Sequence, residues 1–275
     1  MESTNILFLG AGKMACAIAG GMLKSGVSNE RILAYDISPV AVENFRGLTG
    51  ANAVFELPEK AIAGADVIII AVKPQYLAEA LSGLFHLLQE RLIISIVAGA
   101  RIAILKKLTG SAKIVRVMPN TPALIGQGIS AYAFSDQVSE KERALTERIL
   151  NAFGTCCQIN ENLMDATTGL SGSGPAYVFE FIQALTDGGV NNGLPRDIAL
   201  RLAAQTVAGA AMMVLQSGLH PMELRDQVTS PGGTTIRGLS VLEENAFSGI
   251  VINAVTAATE RSIELGNKYQ EKYND

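Results

Sequence analysis

The chain predicts a doubly wound α/β sheet over residues 1–160 followed by an all-α domain over residues 161–275. Three observations carry this. Short, wholly apolar runs alternate with helical patterns through the first stretch. A glycine-rich turn joins the first run to the first helix. The second stretch holds helix-length segments and almost no strand pattern.

In order, the apolar runs are Ile6–Leu9, Ile32–Tyr35, 67–72, 92–98 and Ile114–Met118. Runs of this length, rich in Ile, Val and Leu, fit parallel strands covered on both faces. Helical patterns lie between them, for example over 14–25 and 102–108. Two extra strands over 127–134 and 155–159, with a charged helix over 139–153 between them, close the domain. Beyond residue 160 the pattern predicts helices over 161–169, 175–191, 195–217, 221–228, 234–244 and 247–269. Pro175, Pro195 and Pro221 stand where helices begin, and Gly193 and Gly218 where they end. The helices from 195 and 247 are apolar nearly all round, which one domain of this size cannot cover. They are expected to pack into a partner subunit.

Composition excludes several classes. Hydrophobic residues make up 48% and charged residues 17%, enough to bury a core and too apolar for a disordered chain. The net charge of -4 and the lack of a basic run argue against nucleic acid. Cys16, Cys156 and Cys157 have no metal-ligand or disulfide spacing, and His86 and His220 join no cluster, so no metal site is expected. The strand pattern starting at Asn5 leaves no room for a presequence, which points to the cytoplasm. The apolar stretch 202–215 is interrupted by Gln205 and too short for a membrane span; it reads as a buried helix.

Gly10-Ala11-Gly12-Lys13-Met14-Ala15 follows the first strand and opens the first helix. It fits the Rossmann fingerprint GxGxxG/A: Gly10 for the turn, Gly12 for approach to a pyrophosphate, Ala15 for helix–sheet contact. Lys13 and Met14 lie at the helix N-terminus, whose free N–H groups face the phosphates. Asp36 ends the second strand, where a carboxylate accepts from ribose hydroxyls and repels a 2′-phosphate. The cofactor is therefore NADH or NADPH, with Asp36 leaning toward NADH. Ala71, Val72, Lys73 and Pro74, and Ala98 and Gly99, end two further strands that should border it. Lys73 is either a solvated strand end or a ligand contact. Asn120, between Pro119 and Pro122, either presents its amide to the nicotinamide or substrate or belongs to a rigid turn.

Ser230-Pro231-Gly232-Gly233-Thr234-Thr235 precedes a helix and suits a small anion such as a carboxylate. Either threonine could instead simply cap that helix. Gly169-Leu170-Ser171-Gly172-Ser173-Gly174-Pro175 resembles the GxxGxGxxxKxxxN segment of β-hydroxyacid dehydrogenases. The Lys and Asn positions of that pattern are Val178 and Ile182 here. Alcohol oxidation needs a general base; reduction of a protonatable C=N bond does not. The missing lysine therefore points from carbonyl to imine chemistry.

Those residues, with Ala71-Val72-Lys73-Pro74, the segment 117–122, Leu170 through Tyr177 and the segment 226–237, resemble the pyrroline-5-carboxylate reductase family over essentially the whole chain. The resemblance implies hydride transfer to C5 of 1-pyrroline-5-carboxylate, giving L-proline. It implies that the backbone of Gly232, Gly233 and Thr234 holds the carboxylate, that Thr235 bonds the ring nitrogen and that Ser173 lies near the substrate. It also implies a homodimer that can assemble as a pentamer of dimers. Many members carry a Ser or an Asn–Arg pair where Asp36 stands and prefer NADPH; this chain departs there. The rival readings are a related imine or 3-hydroxy-acid oxidoreductase of the same architecture, and a non-catalytic dinucleotide sensor.

Overall fold

The computed structural model describes residues 4–274. The contact pattern separates two compact units: one runs to Ser173 and takes in the residues from Ala257 on, the other is Gly174–Thr256.

The first unit is a wound sheet. Its elements are β1 (Ile6–Leu9), α1 (Lys13–Lys24), β2 (Ile32–Tyr35), α2 (Pro39–Thr49), β3 (Asn52–Val54), α3 (Glu59–Gly64) and β4 (Val67–Ile70). Next come α4 (Leu77–Leu81), α5 (Phe85–Leu88), β5 (Leu92–Ser95), α6 (Ile102–Thr109), β6 (Ile114–Met118), β7 (Gly128–Phe134), α7 (Glu140–Asn151), β8 (Gly154–Gln158) and α8 (Met164–Thr167). The strand order is β3-β2-β1-β4-β5-β6-β7-β8. The first six strands are parallel, β7 runs antiparallel to β6, and β8 is parallel to β7. The order reverses between β1 and β4, which opens a crevice at their carboxyl ends.

Alternate side chains of each central strand enter opposite cores. From β1, Ile6 and Phe8 join Ile18, Phe45 and Phe153; Leu7 and Leu9 join Ile68, Ile93, Leu105 and Met164. Both faces are covered, so the strands read as unbroken apolar runs. Strands β4 and β5 stop at Ile70 and Ser95, short of the expected 72 and 98. The Ser95 hydroxyl accepts the Val97 N–H at 3.3 Å, a local turn that ends β5. Strand β3 has no counterpart in the sequence reading: it is a three-residue edge strand with one buried side chain, Ala53.

Segment 161–173 belongs to the first unit, where Met164 is buried, so the expected boundary at residue 160 precedes the break in packing. The segment is not one helix. After a 3-10 turn and α8, Thr168–Gly172 forms a π turn.

The second unit is all-helical: α9 (Gly174–Asn191), α10 (Arg196–Ser217), α11 (Pro221–Gln227), α12 (Thr234–Glu244) and the start of α13 (Phe247–Asn274), whose residues from Ala257 on belong to the first unit. Pro195 stands at the N-cap of α10, Pro221 at the first position of α11, and Gly218 closes α10 at φ +68°. The reading of 202–215 as a short buried helix is corrected. Helix α10 spans 22 residues, and an 18-residue window has mean hydropathy 1.7, which by length and composition could cross a membrane. Among its residues Ala199 and Ala203 are buried, while Leu202 is 54% and Leu215 77% exposed. Among the described residues, the helix leaves most of its apolar surface exposed.

Candidate active site

The glycine turn sits where β1 meets α1. Gly10 has φ +104°, and a Cβ there would lie 2.7 Å from the Ala71 carbonyl oxygen, so no larger residue fits. Two backbone bonds pin the turn: Gly10 N–H donates to Tyr35 O and Ala71 N–H to Leu9 O, each at 2.7 Å. Gly12 is the N-cap of α1, with no side-chain cap and no acidic residue in the first turn. A Cβ on Gly12 would meet nothing of the protein within 4 Å. Free N–H groups thus open α1 beside a glycine with no protein atom against it, an arrangement that suits a phosphate. Ala15 is fully buried under the turn. Gly21 was not anticipated: its Cβ would lie 2.5 Å from Ala152 O, so α1 touches the end of α7 backbone to backbone. These residues fit a dinucleotide.

Asp36 has a structural role that the sequence reading did not assign it. Its Oδ2 accepts the Ala11 N–H at 2.9 Å and its Oδ1 the Ser38 N–H at 2.9 Å. The carboxylate thus clamps the glycine turn to the end of β2. Each oxygen keeps a further lone pair that a ribose hydroxyl can use.

The other expected cofactor residues sort by position. Ala71 and Val72 form the wall against Gly10; Lys73 is exposed and, with Pro74, begins a 3-10 turn after β4. Gly99, at φ +77°, abuts Gly266 of α13, so its lack of a side chain serves that contact; Ala98 is half-buried beside it. Asn120 Oδ1 accepts the Ile129 N–H at 3.0 Å, which ties the loop to β7 and leaves the amide NH₂ as the group it can offer a ligand.

In the second unit, Gly233 is the N-cap of α12 and carries no capping side chain, so neither Thr234 nor Thr235 caps that helix. Gly232 turns the chain at φ +66°, and Gly233 N–H closes the turn on Ser230 O at 3.1 Å. The first turn of α12 has no acidic residue, and Thr235 is half-buried while Thr234 is exposed. The result is an N-terminus with unpaired donors, suited to a carboxylate. Ser173 follows the π turn in the first unit, its N–H donating to Thr168 O at 2.9 Å. π turns gather at functional sites, and no sequence period announces them.

Strand order, pinned glycine turn and acidic β2 terminus define a dinucleotide-binding protein of the Rossmann class. Comparison with known proteins narrows the class. Residues 161–265 match the family model described as pyrroline-5-carboxylate reductase dimerisation, and residues 5–99 one described as NADP oxidoreductase coenzyme F420-dependent. The chain is 44% identical to a pyrroline-5-carboxylate reductase of Arabidopsis thaliana, covering 96% of each chain. It is 43% identical to one of Methanosarcina acetivorans, covering 98% of this chain and all of the other. The crystal structure of Plasmodium falciparum pyrroline carboxylate reductase with NADP bound superposes with a TM-score of 0.87 at 38% identity, covering 97% of this chain and 99% of that one. The chain belongs to the pyrroline-5-carboxylate reductase family. The dimerisation match spans α9 to α12, whose apolar faces the single chain leaves open.

Proposed function

We infer that this chain transfers a hydride from NADH or NADPH to 1-pyrroline-5-carboxylate, giving L-proline. The observation that carries this reading is the uncapped start of α12, an anion site built from backbone inside the region matched to the reductase family.

The nicotinamide supplies the hydride when bound. The chain's own work is orientation and charge. The N–H groups of Gly232 and Thr234 hold the substrate carboxylate, which orients the ring for hydride transfer; the Gly233 N–H, expected to join them, is instead given to Ser230 O and shapes the turn. The Thr235 hydroxyl bonds the ring nitrogen and orients the protonated imine; it is too weak an acid to protonate it. Ser173 is the second hydroxyl that the family resemblance assigns to the substrate. On the cofactor side, the α1 N-terminus and Lys13 face the pyrophosphate, and Asp36 the adenosine ribose. Val178 and Ile182 supply no general base, which suits C=N reduction and not alcohol oxidation.

Thr235→Val is expected to lower turnover roughly ten- to a hundredfold, the value of a hydrogen bond to a charged group, with nucleotide affinity unchanged. Steady-state kinetics beside a nucleotide titration checks this; unchanged turnover removes the role of Thr235.

The assembly we propose is a homodimer, stacked by fives into a decamer in the cytoplasm; the dimerisation match and the open face of α10 support its first step. A mass measurement at micromolar concentration is expected to show a dimer or larger. A stable monomer contradicts it.

A further inference from the structure

Strand β6 carries a buried charge that the site above does not use. Arg116 is 3% exposed on an otherwise apolar strand. A guanidinium taken out of water needs partners, and its partners identify what the strand is tied to. Arg116 Nη1 donates to Glu161 Oε1 at 3.2 Å, and Nη2 lies 4.0 Å from Asp165 Oδ1. Glu161 Oε1 also accepts the Ile102 N–H at 2.7 Å, at the start of α6. Asp165 Oδ1 also accepts the Ser262 hydroxyl of α13 at 2.6 Å.

The same segment meets β6 at a second point. Alternate residues of a strand share a face, so Arg116 and Met118 do. Glu161 and Asp165 stand near one end of segment 161–173, and Gly172 near the other. A Cβ on Gly172 would lie 2.6 Å from Met118 Cε, so the π turn rests directly on that side chain. The first contact falls at the start of α8 and the turn before it, the second at the last residue of the π turn, and Ser173 follows at once. A segment keyed at both ends to one strand holds Ser173 at a fixed height above it.

We propose that Arg116 is a positioning residue of the reductase: through Glu161 and Asp165 it sets the register of the segment that presents Ser173. This rests on the reading of Ser173 as a substrate residue. A buried charge is not needed for stability alone, since well-packed apolar replacements of buried ion pairs are often neutral.

The test compares Arg116→Met with the unsubstituted full-length chain, reading kcat and KM for 1-pyrroline-5-carboxylate, nucleotide affinity by titration, and the thermal melt. The expected result is a fall of about a hundredfold in kcat/KM, the scale of an ångström-sized misplacement, with nucleotide affinity within about twofold. Asp165→Asn, which keeps the size of the side chain, serves if the methionine variant does not fold, with a fall of roughly tenfold expected. Gly172→Ala is expected to lower turnover too, and Met118→Ala in the same chain to restore part of it. Wild-type kinetics in a folded variant overturns the proposal, as does an equal loss of nucleotide affinity, which marks a general structural role. No turnover by the unsubstituted chain defeats the functional reading itself, whereas an active chain with equally active variants defeats only the role of Arg116.

Discussion

Gly10→Ala is expected to abolish dinucleotide binding and to destabilise the fold by about 2–4 kcal/mol. Two costs combine. The residue sits at φ +104°, a conformation that side chains rarely adopt, and its new Cβ would lie 2.7 Å from Ala71 O, 2.8 Å from Ala71 C and 3.0 Å from Val72 N. These are backbone atoms and cannot rotate away. Both sides of the contact are held by hydrogen bonds to neighbouring strands, so relief requires moving the β1–α1 turn, which is the proposed phosphate site. Gly12→Ala makes the instructive contrast. Its Cβ meets nothing of the protein, and the N-cap φ of −73° suits alanine, so stability should hold while nucleotide affinity falls. Thermal melts beside nucleotide titrations separate the two. A Gly10→Ala chain with wild-type melt and affinity would remove the cradle from the account.

The second large effect is expected at the start of α12. Gly233→Ala should reduce kcat/KM for the imine about a hundredfold and leave nucleotide affinity within about twofold, because losing hydrogen bonds to a charged group costs about 1.5–3 kcal/mol each. The N-cap dihedrals of −78° and 179° are open to alanine, so the cost is not backbone strain. The new Cβ would lie 2.3 Å from Ser230 Oγ and 3.2 Å from Ser230 O. The hydroxyl can swing aside. The carbonyl cannot do so freely, since it already accepts the Gly233 N–H at 3.1 Å. The turn must therefore shift, and the N–H groups proposed to hold the carboxylate shift with it. Kinetics of the variant at saturating nucleotide decides the matter; an unchanged KM would place the carboxylate elsewhere.

What the sequence made legible follows from periodicity. Strands β1, β2 and β6 and helix α12 run between the expected residues, because a full apolar run or a glycine–threonine start marks both ends. Strands β4 and β5 were drawn too long because apolar residues continue past the turns that end them, and hydropathy does not register a backbone turn. Strand β3, with one buried side chain, has too little pattern to detect. The π turn depends on a one-residue excess that no residue type signals, although three glycines between 169 and 174 made the segment stand out. Asp36 was singled out as a candidate ribose partner from its distance to the glycine turn; its bond to Ala11 joins residues 25 apart and needed coordinates. Arg116 was passed over because a lone charge inside an apolar strand carries no motif. Helix α10 was read as buried because apolarity reports that a surface is covered, not which chain covers it.

The most direct measurement is the oxidation of NADH and of NADPH, in parallel, by the folded chain supplied with 1-pyrroline-5-carboxylate. The account predicts turnover with formation of proline, and the Asp36 carboxylate predicts NADH ahead of NADPH. Faster turnover with NADPH would overturn the role given to Asp36 and leave the reaction standing. No turnover with either nucleotide, by protein shown to be folded and to bind both, would contradict the central claim.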